Sequence, residues 1–388
     1  MRPFRLLPLR AALSGLCLLS ALLPLPAFSA DPLEVTQLED EAVDTVEEFG
    51  KRDRSGNWVW MPIPVFNPTL DTGLTVAVLR LYKLDPNSPS STTGVAGLGT
   101  SNGSWGGGIF TKNYIREDRI RLTGGMGYAN LNLNFYGRGN NPLEFERLKI
   151  NQKGAAGFGQ VLWRLRESLY GGIRLRYLSL TSSLRYLPGE SFDETPVDGL
   201  LDLGLELDSI GPGIKFEWDT RDDTWFPRSG QFAELSIDTS RQSFGSDRDY
   251  EQYNLKWSGY WTVGDSDVLA LNATACAASD RAPFHDICLL GSSKNLRGFE
   301  SGRYRDDAMV TGQIEYRKRL SPRWGAVVFG GLGQVGNTFG DFDRENIRTS
   351  AGLGVRWIAS QEHGVRISVD LAWGDGDNAA YFYVGESF

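Results

Sequence analysis

Histidine is nearly missing from this 388-residue sequence: His285 and His363 are the only two. One falls in a long loop and the other at a strand start, and neither makes a convincing general base. Beyond residue 30, no stretch approaches the roughly 18 consecutive apolar residues of a membrane helix. By hydropathy alone, a soluble secreted protein therefore stands. Basic clusters are also lacking. Past residue 30 the chain carries 37 lysines and arginines against 48 acids, a balance that argues against nucleic acid as a partner. Cysteine is scarce, with only Cys276 and Cys288 outside the first thirty residues.

What is present begins with a leader. Arg2, Arg5 and Arg10 precede the apolar run 11–23, and Pro24 and Pro26 break it before Ala27-Phe28-Ser29-Ala30. Residues 1–30 read as a secretory signal peptide cleaved after Ser29 or Ala30. Leu16, ahead of Cys17, occupies the place where a lipoprotein signal needs a small residue, so lipidation is rejected. After export, Cys276 and Cys288 are expected to pair in an oxidising compartment, closing a short loop worth about 2–3 kcal/mol. The alternative is two unpaired thiols, one on a strand and one in a loop.

Residues 31–56 are acidic, with Glu34, Glu39, Asp40, Glu41, Asp44, Glu47 and Glu48 around Leu38, Ala42, Val46 and Phe49. The apolar spacing suits a short amphipathic helix, and a disordered tail fits equally. From residue 57 the period becomes two. Ile214, Phe216 and Trp218 alternate with Lys215, Glu217 and Asp219; Leu131, Leu133 and Phe135 alternate with Asn130, Asn132 and Asn134. Val365, Ile367, Val369, Leu371 and Trp373 alternate with Arg366, Ser368 and Asp370. A soluble sandwich also alternates. Charges in mid-strand, aromatic outer faces and an aromatic last residue, Phe388, favour a transmembrane β-barrel instead. The fold class expected is all-β: an antiparallel barrel of 57–388, with sixteen strands by count of the runs.

The stretch 288–320 carries Leu296-Arg297-Gly298-Phe299 and, further on, Gly312-Gln313-Ile314-Glu315-Tyr316-Arg317. It resembles the outer-membrane assembly and translocation barrels of the BamA/TamA type, the bacterial surface antigen family. Asp219-Thr220-Arg221-Asp222 with Pro227-Arg228-Ser229-Gly230, the opening Pro62-Ile63-Pro64 and the closing Gly385-Glu386-Ser387-Phe388 agree with it. The resemblance implies a long extracellular loop folded into the lumen, its tip Arg297-Gly298-Phe299 meeting Glu315 on the next strand. Physically, a guanidinium in a narrow lumen needs a carboxylate to offset its desolvation. It also implies a weak seam between the first and last strands, about 58–66 against 380–388, with Phe388 as the C-terminal strand signal.

Two departures stand out. Relatives read Phe-x-Asp-x-Gly where this chain has Phe329-Gly330-Gly331-Leu332-Gly333, so a second carboxylate is expected to be missing. Relatives also place polypeptide-transport-associated domains before the barrel, where this chain has the acidic segment.

Other motifs are set aside. Gly99-Thr100-Ser101-Asn102-Gly103 has hydrolase-elbow spacing but no helix after it. Gly331 to Gly336 matches a dinucleotide fingerprint within a strand. Asp375-Gly376-Asp377 reads as a turn, and Asp306 and Asp307 as solvated loop charges rather than a cation site. No catalytic residue, metal or cofactor is expected. The functional expectation is a barrel assisting insertion or translocation of protein or lipid; the alternatives are a passive or structural pore, or a lipid hydrolase using Ser101. Expected partners are outer-membrane lipid, client outer-membrane proteins and a separately encoded periplasmic protein docking on the acidic segment.

Overall fold

The computed structural model describes residues 58–67, 69–140, 148–184, 206–223, 226–360 and 365–388. The leader, the acidic segment and His363 lie outside the described residues.

Within the described chain the two-residue period becomes strands. The first six are β1 (Trp58–Asn67), β2 (Asp71–Tyr82), β3 (Ser91–Thr100), β4 (Trp105–Ile115), β5 (Ile120–Phe135) and β6 (Leu148–Arg166). Next come β7 (Leu169–Leu184), β8 (Glu206–Asp219), β9 (Gly230–Ser240), β10 (Tyr250–Val263), β11 (Asp267–Ala278) and β12 (Cys288–Leu290). The last six are β13 (Tyr304–Asp306), β14 (Ala308–Arg319), β15 (Trp324–Gly336), β16 (Arg348–Ser360), β17 (Val365–Gly374) and β18 (Asp377–Val384). Sixteen of them form one sheet in chain order, while β12 and β13 pair apart as a small ribbon. The pairing from β1–β2 to β17–β18 is antiparallel throughout. β1 and β18 then lie side by side, yet no hydrogen-bonded register joins them among the described residues.

The outer face is apolar because hydrocarbon is its solvent. Val76, Ile109, Met126, Ile173, Leu255, Ile314 and Val328 are exposed there. The tryptophans are distributed unevenly. At the end with the short β4–β5, β6–β7, β10–β11 and β14–β15 turns, exposed Trp58, Trp60, Trp163, Trp218, Trp261, Trp324 and Trp357 form a girdle. Trp105 and Trp373 are the exposed tryptophans at the other end among the described residues. Short turns mark the periplasmic side of such barrels.

One alternating run is turned the other way. Leu131, Leu133 and Phe135 are buried in a cluster with Leu70, Ile150 and Phe284, whereas Asn130 and Asn132 alternate with them. Phe284 belongs to the segment between β11 and β14, so on this part of β5 the apolar side faces inward and packs on the loop.

The ending also differs from the sequence expectation. Phe388 does not close a strand: β18 stops at Val384, and Gly385 takes φ +98°, a left-handed conformation suited to glycine. The chain then bends into the lumen, where Phe388 packs against Tyr260, Val268 and Ala270.

Cys276 on β11 and Cys288 on β12 form a disulfide. It sits among Leu290, Leu296, Phe299, Tyr304, Met309 and Val335, and ties the root of the inward segment to the wall. Replacing both cysteines by serine is expected to lower folding stability by about 2–3 kcal/mol, read from urea unfolding in lipid, with the strand content unchanged.

Candidate functional site in the barrel lumen

Residues 279–307 leave β11 and return to β14 through the interior. Asp286 near the start of the segment accepts Arg176 Nη2 from β7 at 2.9 Å and bonds the Tyr250 hydroxyl of β10. Near its end, Arg138 takes Asp306 at 2.7 Å and also bonds Asp307. Both aspartates are buried, so they are not the solvated loop charges that the sequence suggested. Arg303 reaches Asp377 on β18 at 3.0 Å, and Glu300 accepts from Asn134 at 2.7 Å. The segment is thus held to several walls at once.

The tip is Arg297-Gly298-Phe299. Gly298 has φ +107°, and a side-chain carbon there would stand 3.1 Å from the Gly374 nitrogen; glycine meets both demands. Its N–H donates to the Tyr381 hydroxyl at 3.1 Å. Phe299 is buried edge-on to Tyr304, in space that Gly374 leaves by lacking a side chain. Arg297 has no exposed side-chain surface. Its Nη2 donates to Glu315 at 2.6 Å, its Nε to Gln313 at 3.2 Å, and its plane lies 3.5 Å from the Phe329 ring centre.

The second carboxylate is not missing, and this corrects the sequence expectation. Asp370 on β17 supplies it, 2.5 Å from Arg297 Nη1. At Gly331, a side-chain carbon would lie 2.6 Å from Leu296 and 2.8 Å from Gln313. Leu296 and Gln313 fill the space beside Gly331, and the acid enters from another strand.

Glu315 and Asp370 are shared further. Glu315 accepts Arg317 at 2.6 Å, and Asp370 takes Arg356 at 2.5 Å together with the Tyr383 hydroxyl. Glu386, from the inward tail, completes the circuit, 2.7 Å from Arg356 and 3.8 Å from Arg317. Arg297, Glu315, Arg317, Glu386, Arg356 and Asp370 therefore form a closed ring of alternating charge. Arg366 adds a further contact to Glu386 at 2.6 Å. The tail is also bound through Phe388, whose carbonyl accepts Arg317 at 2.7 Å, and through Ser387, whose hydroxyl donates to the Ser293 carbonyl of the loop. Buried ions persist only when each has partners, and here each has at least two.

The remaining candidates stay apart from this ring. Ser101 lies in the β3–β4 turn, exchanging bonds with the Thr72 backbone, and no helix follows it. His285 is buried beside Phe284. Gly331 to Gly336 runs along β15, and Asp375-Gly376 is the β17–β18 turn. Among the described residues no three histidine, cysteine or acidic side chains gather as a metal site. In the β8–β9 turn, Asp222 accepts the N–H groups of Asp223, Arg228 and Ser229. Partial burial pushes that carboxyl up, and the donors outweigh it, holding it below the usual carboxylate range.

A sixteen-stranded sheet with an apolar outside, an aromatic girdle and a charged interior is an outer-membrane β-barrel protein. The profile of the Omp85 superfamily domain matches residues 93–388, and the chain belongs to that superfamily. Among solved structures it is similar to BamA from Haemophilus ducreyi lacking POTRA domains 1–3, with TM-score 0.58 and 15% identity over 86% of this chain and 70% of that one. It is also similar to CdiB from Acinetobacter baumannii, with TM-score 0.56 and 11% identity over 85% of this chain and 60% of that one. CdiB from Escherichia coli gives TM-score 0.56 and 11% identity over 90% and 70%. At these identities the likeness is one of fold.

Proposed function

We propose that this barrel assists the insertion or translocation of protein or lipid at the outer membrane. The observation that carries the reading is the seam: among the described residues a ladder joins every other neighbouring pair of strands, and none joins β1 to β18. Unpaired backbone in hydrocarbon is heavily penalised, so an unladdered seam is the place where the wall parts most readily. Arg297, Gly298 and Phe299 act as the loop's lock and Glu315 as its partner carboxylate, keeping the interior filled while the wall opens. Client outer-membrane proteins are the partners this arrangement suits, with a separately encoded periplasmic protein meeting the acidic segment 31–56.

The filled lumen speaks against a passive pore, since buried side chains from the loop and tail cross it. The turn around Ser101 speaks against a lipid hydrolase. The test is the folding rate of an unfolded outer-membrane protein added to liposomes with and without the purified barrel. A rate increase of tenfold or more is expected; an unchanged rate, together with a large steady conductance in planar bilayers, returns the pore.

A further inference from the structure

The outward face of β6 changes character part-way along the strand. Ile150 and Gln152 are buried toward the interior, so the odd-numbered positions face out. From the short-turn end these run Trp163, Val161, Gly159, Gly157 and Ala155, then Lys153, Asn151 and Lys149. Pairing with β5 continues from Trp163 to Leu148 without a register shift, so the alternation is unbroken. Trp163 belongs to the girdle beside the short turns. The climb from there to Lys153, at about 3.4 Å per residue and a tilt of about 40°, is roughly 26 Å, close to the height of the apolar band. Lys153 therefore stands at headgroup level in the outer leaflet, and Lys149 roughly 10 Å above it.

Below the lysines lies a trough. Gly157 is the register partner of Met126 on β5 and of Tyr177 on β7, and Gly159 that of Leu175. Those three larger side chains are exposed on the same outer face, and a carbon added at Gly159 would meet nothing within 4 Å. Above the trough is a net of amides. Asn151 Nδ2 donates to Asn130 Oδ1 at 2.5 Å and to Asn132 Oδ1 at 3.1 Å, and Asn132 is held in turn by Asn102 of the β3–β4 turn. Asn130 is the register partner of Lys153. Both lysines are exposed, and among the described residues neither pairs with a carboxylate, although the chain carries 48 acids. Glu206, two strands on in the row of Lys153, accepts from Ser179 instead.

We propose that the outer face of β5–β7 is a binding site for a phosphorylated glycolipid of the outer leaflet. Lys149 and Lys153 take its phosphates, the amide net takes its sugar hydroxyls, and the trough at Gly157 and Gly159 takes an acyl chain. A lysine ammonium is a compact point charge suited to phosphate, and one without an acid partner has its charge to spare for an anion at the membrane surface. The two lysines stand roughly 13 Å apart along the strand, a separation that suits phosphates at the two ends of a disaccharide. Amides both donate and accept, as sugar hydroxyls require. The glycines lie directly beneath the lysines on one strand, so chain and headgroup of a single lipid meet both.

The test titrates the full chain in detergent micelles with a glucosamine-disaccharide lipid carrying two phosphates, bound lipid being counted by native mass spectrometry. Saturable one-to-one binding is expected. Replacing Lys149 and Lys153 together by glutamine should weaken it at least tenfold, and arginine at both positions should restore it. Removing both phosphates from the lipid should cost at least tenfold as well. Gly157→Leu, which fills the trough, should weaken binding at least fivefold with the strand content unchanged. Lys318→Gln, at the short-turn end, should leave binding as it is. Equal binding by the double glutamine variant, by the dephosphorylated lipid or by Gly157→Leu overturns the proposal. Phosphatidylglycerol bound as tightly as the glycolipid, or an equal loss in Lys318→Gln, overturns it too, since either outcome reduces the effect to a general attraction for anionic lipid.

Discussion

Replacing Arg297 by alanine is expected to unplug the barrel. The side chain lies between Glu315 at 2.6 Å and Asp370 at 2.5 Å, with no exposed surface on any of the three. Its loss leaves each carboxylate with less positive charge than it needs, an imbalance worth about 3–5 kcal/mol in buried pairs. The loop tip is then held without its ion pairs, by Gly298, Phe299 and the backbone N–H of residue 297 on Gln313, and planar-bilayer recordings should show larger, longer openings. Arg297→Lys should recover only part of the effect, because one ammonium cannot fork between two acids on different strands. In a double-mutant cycle with Asp370→Ala, stability should be non-additive by about 0.5–3 kcal/mol. Additivity, or wild-type conductance in Arg297→Ala, would show that the loop is held elsewhere.

Glu386→Gln is expected to release the tail and, through it, the loop. Glu386 is contacted by Arg356, Arg366 and Arg317, and two of these also hold Asp370 and Glu315. Neutralising it opens the ring on one side and leaves buried arginines short of negative charge. Amide exchange should rise at least tenfold in 385–388 and also in the loop around Ser293, the residue that Ser387 contacts. A tenfold change corresponds to about 1.4 kcal/mol. Faster exchange confined to the tail would separate the two elements.

Much of the wall was legible in the residues. A sheet with lipid on one side and charge on the other imposes a period of two, and the sixteen runs became sixteen strands. The pairing of Arg297 with Glu315 was legible through the family motif, since both lie on one loop-and-strand unit. Asp370 was not, although its place among Val369 and Leu371 marked it as an inward charge. It stands 73 positions from Arg297, and only closure of the barrel decides which inward acid meets which arginine. The tail was misread for a similar reason. Its alternation and final aromatic resemble a strand end, and Gly385 was the sole local sign of a turn. What draws it inward is Glu386, through arginines on β14, β16 and β17. On β5, alternation gave the period of Leu131, Leu133 and Phe135 but not which side was wet, because the loop supplies an apolar surface inside.

The lopsided girdle has a mechanical consequence. Among the described residues, seven exposed tryptophans moor the cylinder at the interface beside its short turns, and two do so at the far end. A change in bilayer thickness should leave the inner waterline fixed and slide the outer one along the wall. The long β5 and β6 rise beyond a typical apolar band, so the outer leaflet can deepen or thin there without the moored rim having to tilt.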